Sequence, residues 1–111
     1  MSGPLTGYRG IVLTQAWAGS YATQLLGMLG AEIIQVEFHG RPDSWRGSYD
    51  RPIPDTVADA PGAAADQHPW NVNPLYNSVN LNKQCITLDL TDPAGLDIFK
   101  RLVCCNADSI V

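Results

Sequence analysis

Basic charge is scarce in this chain: seven Lys and Arg stand against eleven Asp and Glu, for a formal net charge of −4 and an isoelectric point near 4.8. A nucleic-acid binder needs a clustered basic face to meet phosphates, so nucleic acid is not an expected partner. Long apolar runs are missing as well. A membrane span requires roughly 18 to 20 consecutive apolar residues, and the opening MSGPLTGYRG has no charged-then-apolar layout of a signal peptide. The expectation is a soluble, cytoplasmic protein with no membrane partner. Cysteine is limited to Cys85, Cys104 and Cys105, an odd number whose adjacent pair is poorly placed to bridge without strain, so reduced structural thiols are expected. Histidine is limited to His39 and His68. No C-x-x-C or H-x-x-x-H spacing joins them to the cysteines, and no metal site is expected. The chain also lacks G-x-G-x-x-G, G-x-x-x-x-G-K-[ST] and G-x-S-x-G, which removes support for ordinary dinucleotide binding, nucleoside-triphosphate binding and a serine-hydrolase elbow. No catalytic residue is assigned, and both histidines are expected to be surface or hydrogen-bonded groups.

What is present is the alternation of an α/β protein. The 111 residues and 45% hydrophobic content suit one small domain. Gly10 to Thr14 (GIVLT) reads as a strand, Gln15 to Gly19 as a loop and about Ser20 to Leu29 as a helix. Ala22, Leu25, Leu26 and Leu29 follow helical spacing and are expected to face a sheet, with Gly30 as a left-handed cap. Glu32 to Glu37 (EIIQVE) supplies a second strand, so residues 10–37 form a parallel β-α-β unit. Cys85 to Leu90 (CITLDL) repeats the strand pattern. Asp92 and Pro93 then mark a helix start, and Leu96, Phe99, Leu102 and Val103 its buried stripe. Asp108 to Val111 opens another strand. The fold class is a Rossmann-like parallel sheet built from β-α-β units. It is expected to be incomplete, with an unfinished apolar edge.

A stretch from about 38 to 79, rich in Pro, Gly, Asp and Ala, shows no periodicity. Segments of that length are functional loops or disordered linkers. Its Pro61 to Asp66 run favours disorder, whereas Trp45, Tyr49, Trp70 and Tyr76 favour docking on another surface. Ligands of open parallel sheets collect at the carboxyl ends of the strands, which here means Gln15 to Gly19. Gln15 offers a donor and an acceptor, and Gly19 permits a sharp turn close to a ligand. Asn80-Leu81-Asn82-Lys83, ahead of the CITLDL strand, places a mobile cation on a turn. On the residues alone, a plain solvated turn accounts for either segment better than a binding site does.

The whole chain resembles the beginning of the family III CoA-transferases, the group that includes formyl-CoA and carnitine CoA-transferases. Pro4-Leu5-Thr6-Gly7 matches the family's opening, and Leu13 to Leu26 (LTQAWAGSYATQLL) its first loop and helix. Leu29 to Glu37 (LGAEIIQVE) resembles its "LGAEVIKVE" strand, and Asn77 to Gln84 (NSVNLNKQ) its "N-x-NKR" turn. Ile86 to Leu90 with Asp92 to Gly95 resembles its "LDL…P-E-G" junction. Val12, Ser20, Gln35, Leu81 and Gln84 depart from the usual residues.

The resemblance implies an N-terminal, CoA-binding part of the family's large domain, extending over residues 1–111. It implies acyl-CoA and a carboxylic acid acceptor as substrates, with no permanently bound cofactor, and a full-length protein that forms an interlocked homodimer. In the family an Asp carboxylate attacks the thioester. That Asp falls beyond this chain, so the chain alone is expected to be catalytically incomplete. CoA contacts would fall on Gln15, Ala16, Trp17 and Ala18 of the first loop and on Asn82 and Lys83 of the basic turn, with Arg41 as a further cationic contact. The alternatives are a stand-alone Rossmann-like binding module and part of an α-methylacyl-CoA racemase.

Overall fold

The computed structural model describes residues 2–46, 69–71, 73–105 and 109–110. Four parallel strands, β1 (Arg9–Val12), β2 (Glu32–Glu37), β3 (Lys83–Thr87) and β4 (Ser109–Ile110), form one sheet in the order β3-β2-β1-β4. The helices are α1 (Ala18–Met28), α2 (Pro74–Ser78) and α3 (Pro93–Cys104), with short 3-10 turns at Ser44–Arg46 and Pro69–Asn71. This is the order of the first four strands of a Rossmann sheet. Its direction reverses between β1 and β4, the place where open parallel sheets bind ligands. No helix among the described residues is long and apolar enough to cross a membrane.

Pleating puts neighbouring residues of a strand on opposite faces. Ile11, Ile34 and Val36 therefore pack with Ile86, Leu88, Phe99, Leu102 and Val103 beneath α3. Val12, Ala31 and Ile33 pack with Leu5 and Leu26 on the α1 side. The registers Ile11 with Ile34 and Val36 with Ile86 keep the α3 face apolar across three strands. Ile11 and Ile33 are almost wholly buried, each contributing about 1.5–3 kcal/mol by removal of its side chain from water.

The α1 face differs from the sequence expectation. Ser20, Thr23, Gln24 and Gly27 are the buried residues of α1, whereas Ala22, Leu25 and Leu29 are exposed and only Leu26 joins the core. The reason lies in the sheet. On this face β2 presents Gln35 and Glu37; Gln35 bonds Thr14, and Thr23 and Gln24 of the helix face the adjoining loops, while the buried Ser20 hydroxyl has no partner among the described residues. Gln24 Oε1 accepts the Leu81 N–H at 2.7 Å, and Thr14 Oγ1 lies 3.4 Å from Thr23 Oγ1. A Cβ on Gly27 would stand 3.1 Å from the Asn82 carbonyl oxygen, so the small residue lets helix and turn meet closely. Apolar spacing marked a helix here but pointed to the wrong face.

The other boundaries hold to within a few residues. Gly30 is left-handed (φ 103°), and the Asp92 carboxylate caps α3 by accepting the Ala94 N–H. Phe99, Leu102 and Val103 face the sheet, whereas Leu96 is exposed. The third strand begins at Lys83 rather than Cys85, because Asn82 takes up the left-handed turn (φ 58°) and frees Lys83 to pair with Ile33. Asp108 and Val111 lie outside the described residues, as do Tyr49, Pro61 to Asp66 and His68 of the long stretch.

Gly95 supplies a test that sets packing against propensity. Ala in a helix interior ordinarily gains about 1 kcal/mol over Gly, but a Cβ at Gly95 would lie 2.1 Å from the Asp89 carbonyl oxygen. Gly95→Ala is expected to destabilise by about 1–3 kcal/mol, read as a lower urea midpoint with unchanged slope.

Candidate functional site

The loop after β1 leaves the sheet at the switch point and is held from three directions. Gln35, 2% exposed, donates from Nε2 to the Thr14 carbonyl at 2.6 Å, and its Oε1 accepts the Thr14 hydroxyl at 3.1 Å. Asp43, also 2% exposed, accepts the Ala16 N–H on both carboxylate oxygens, at 3.2 and 3.0 Å, and the Trp45 N–H on Oδ1 at 2.9 Å. The Trp17 and Trp45 rings meet at 5.8 Å with a 49° tilt. Ala16 is left-handed (φ 56°), a state that costs a residue with a Cβ about 1–2 kcal/mol. The sharp turn expected at Gly19 is therefore made at Ala16. Gly19 instead sits in α1, where a Cβ would lie 2.9 Å from the Thr14 methyl group.

The same short segment secures the end of β2. Arg46 Nε and Nη2 each donate to a Glu37 carboxylate oxygen at 2.8 Å, while Nη1 donates to the Trp70 carbonyl at 2.9 Å and Asn71 Oδ1 at 3.0 Å. The Arg46 guanidinium carbon lies 3.6 Å from the centre of the Tyr76 ring, and the Tyr76 hydroxyl donates to Glu37 Oε1. The ion pair is well shielded, with side-chain exposures of 9% and 13%. Burial pushes the Glu37 carboxyl up, but the Arg46 and Tyr76 contacts outweigh it and hold the group below its ordinary 4.5. Burial, with the bond to Glu37, raises the Tyr76 hydroxyl well above the usual phenol range. Tyr76 is thus buried within this chain. Of the aromatic residues expected to dock on another surface, Tyr76 instead docks on β2 of its own chain, because α2 returns it there, whereas Trp70 is exposed.

At the carboxyl edge these elements border a cavity of about 390 Å³, within the size range of small-molecule sites. Leu13, Val36, Phe38, Leu88 and Leu90 supply apolar walls; Gln15, Arg41, Asp89 and Thr91 supply polar groups. Glu37 also reaches the wall, with its charge already engaged by Arg46. Asp89 accepts the Thr91 N–H at 2.9 Å and the Thr91 hydroxyl at 2.6 Å, bonds that hold its carboxyl below the usual range. Arg41 is exposed and is the cationic side chain of the lining.

The structure brings Gln15 and Arg41 together at this cavity, with Ala16, Trp17 and Ala18 continuing the same loop. It does not bring Asn82 and Lys83 there. They line a separate cavity of about 440 Å³ beside Gly27, Gly30 and Glu32, at the opposite end of the strands. Lys83 Nζ donates to the Ser20 carbonyl at 2.9 Å and to Asn80 Oδ1 at 2.8 Å, and burial lowers its pKa to about 8. His39 is exposed and packs edge-on against Phe38 at 5.0 Å.

Sequence reasoning missed Asp43, Arg46, Glu37 and Gln35. Asp43 carried a local sign, because an Asp two residues before a bonded N–H is an Asx turn. Its reach across 27 residues to Ala16 carried none.

Comparison with known proteins adds to this geometry. A family model described as CoA-transferase family III matches residues 5–111. The chain is 37% identical over 99 residues to succinyl-CoA:glutarate CoA-transferase of Mus musculus, covering 89% of this chain and 19% of that protein. It is 35% identical over 104 residues to formyl-CoA:oxalate CoA-transferase of Bradyrhizobium diazoefficiens, covering 93% and 20%. Among solved structures, a CAIB/BAIF family protein from Brucella suis has a TM-score of 0.64 at 29% identity, covering 91% of this chain and 23% of that one. The chain spans about a fifth of the length of the curated relatives it matches.

The Arg46–Glu37 pair yields a stability prediction with a defined sign. Arg46→Ala leaves a shielded carboxylate without its cation and is expected to cost about 3 kcal/mol. Because Glu37 is held below 4.5 in the fold, the unfolded chain takes up the proton first on acidification. The stabilisation is complete above about pH 4.5 and is lost as the pH falls through the lowered folded value. Urea melts of wild type and Glu37→Gln should therefore differ most near neutrality and converge in acid.

Proposed function

Because the chain belongs to CoA-transferase family III, we propose that it forms part of the CoA-thioester binding surface of an enzyme moving CoA from an acyl-CoA to a carboxylic acid. The observation that carries this reading is the carboxyl-edge cavity, where Gln15 and Arg41 meet apolar walls at the end of a parallel sheet. Arg41 supplies positive charge for a phosphate group, Gln15 supplies a donor and an acceptor, and exposed Trp17 supplies a flat apolar surface for the pantetheine or adenine portion. CoA is turned over as a substrate rather than held as a resident cofactor.

In this reading the attacking carboxylate belongs to a part of the family's fold that these 111 residues do not include, and the chain alone is catalytically incomplete. The long stretch at about 38–79 belongs to the same domain. The exposed apolar side chains of α1 and its cap, Tyr21, Leu25, Met28 and Leu29, fit a segment meant to be covered in an interlocked pair of full-length chains. The relatives named for CoA transfer to glutarate and oxalate favour a transferase over a racemase. Asn82 and Lys83, the other expected CoA contacts, line the separate cavity and fall outside this surface in the present reading.

Calorimetric titration of the chain with CoA tests the proposal. Saturable binding should weaken about tenfold in Arg41→Ala, the loss of one charge-assisted contact, and should weaken with added salt. Lys83→Ala separately tests the second patch. Absence of saturable binding, or affinity unchanged in Arg41→Ala, contradicts the assignment.

A further inference from the structure

We propose that Asp43 is the positioning residue of the first loop: its buried carboxylate fixes the left-handed conformation of Ala16 and thereby the placement of Gln15 and Trp17. The consequence for CoA rests on the binding surface proposed above; the clamp itself stands on geometry alone. Ala16 is one of two non-glycine residues with positive φ among the described residues, and the other, Asn82, is a residue type that tolerates that state. Ala16 has no such tolerance. An external partner must hold it, and the contact that does so is its N–H shared between both Asp43 oxygens.

Asp43 is suited to the role by its own anchorage. It is 2% exposed, its Oδ1 also accepts the Trp45 N–H, and its carbonyl accepts the Arg46 N–H at 2.9 Å. Arg46 in turn is bound to Glu37 at the end of β2. The loop is thus referenced to the sheet through Asp43 and Arg46, independently of the bonds from Gln35 to Thr14. The Trp17 and Trp45 rings, which follow Ala16 and Asp43 in the chain by one and two residues and meet at a tilt, report its state. An amide cannot replace the carboxylate fully. The Asn Nδ2 would oppose the Ala16 N–H where Oδ2 now accepts it, although Oδ1 could still serve both donors.

The test combines circular dichroism, hydrogen exchange and CoA titration. Asp43→Ala should abolish the exciton couplet of the Trp17–Trp45 pair and speed exchange of the Ala16 amide, and should weaken CoA binding about tenfold. Asp43→Asn should fall between it and wild type. Ala16→Gly removes the conformational cost that the clamp opposes, so Asp43→Ala should lose less affinity in that background than in wild type, a non-additivity that general destabilisation does not produce. An unchanged couplet and unchanged Ala16 exchange in Asp43→Ala overturn the clamp. If Asp43→Ala does not fold, Asp43→Asn decides by the same two measurements. If wild type binds no CoA while the couplet and exchange respond as stated, the clamp stands and the CoA reading fails.

Discussion

The Arg46 guanidinium grips Glu37 with two N–H···O bonds while its face lies on the Tyr76 ring and its third nitrogen holds the Trp70–Asn71 turn. Those contacts join the end of β2 and the turn at Ser44–Arg46 to the turn at Pro69–Asn71 and α2, which lie more than twenty residues further along the chain. Together with the Asp43–Ala16 bonds they fix where the chain goes after β2. A shielded ion pair brings little net stability in general, but each polar atom here has a partner, and the arrangement specifies one geometry. Asp43 shares its turn with Arg46, so the position of the first loop depends on the same pair.

This dependence explains why the sheet has two unlike faces. Beneath α3 the contacts are apolar from β1 through β3. On the α1 side the sheet changes from Ile33 to Gln35 to Glu37 along one strand, from apolar at the amino end to polar at the carboxyl end. The polar end is where the loop, the Asp43 turn and the ion pair assemble. The helix placed there must offer Ser20, Thr23 and Gln24 inward and leave Leu25, Met28 and Leu29 outward. The cavity at the carboxyl edge and the exposed apolar stripe of α1 are thus two results of the same polar strand end.

Much of this fold was legible. Strand runs, the Gly30 cap and the Asp92-Pro93 helix start are local, and local chemistry decides them. The facing of α1 was not legible. Apolar periodicity presumes that the most hydrophobic face meets the sheet, and that presumption fails where the strand end facing the helix is polar. At the site, Gln15 and Arg41 lie where the strand ends predicted a ligand edge. The Lys83 backbone starts β3 at the opposite end, because Asn82 makes the turn, and its ammonium is already engaged by the Ser20 carbonyl and Asn80. Asp43 and Glu37 were invisible as partners because their contacts span 27 and 39 residues to Ala16 and Tyr76.

The central claim is that the carboxyl edge of the sheet, and not the opposite end, receives CoA. Backbone amide chemical-shift mapping on addition of CoA tests it most directly. The account predicts shifts concentrated in residues 13–18, 38–41 and 88–91, which line or adjoin the carboxyl-edge cavity. Shifts concentrated instead in residues 27–32 and 82–84, around the other cavity, or no shifts at all, would contradict it.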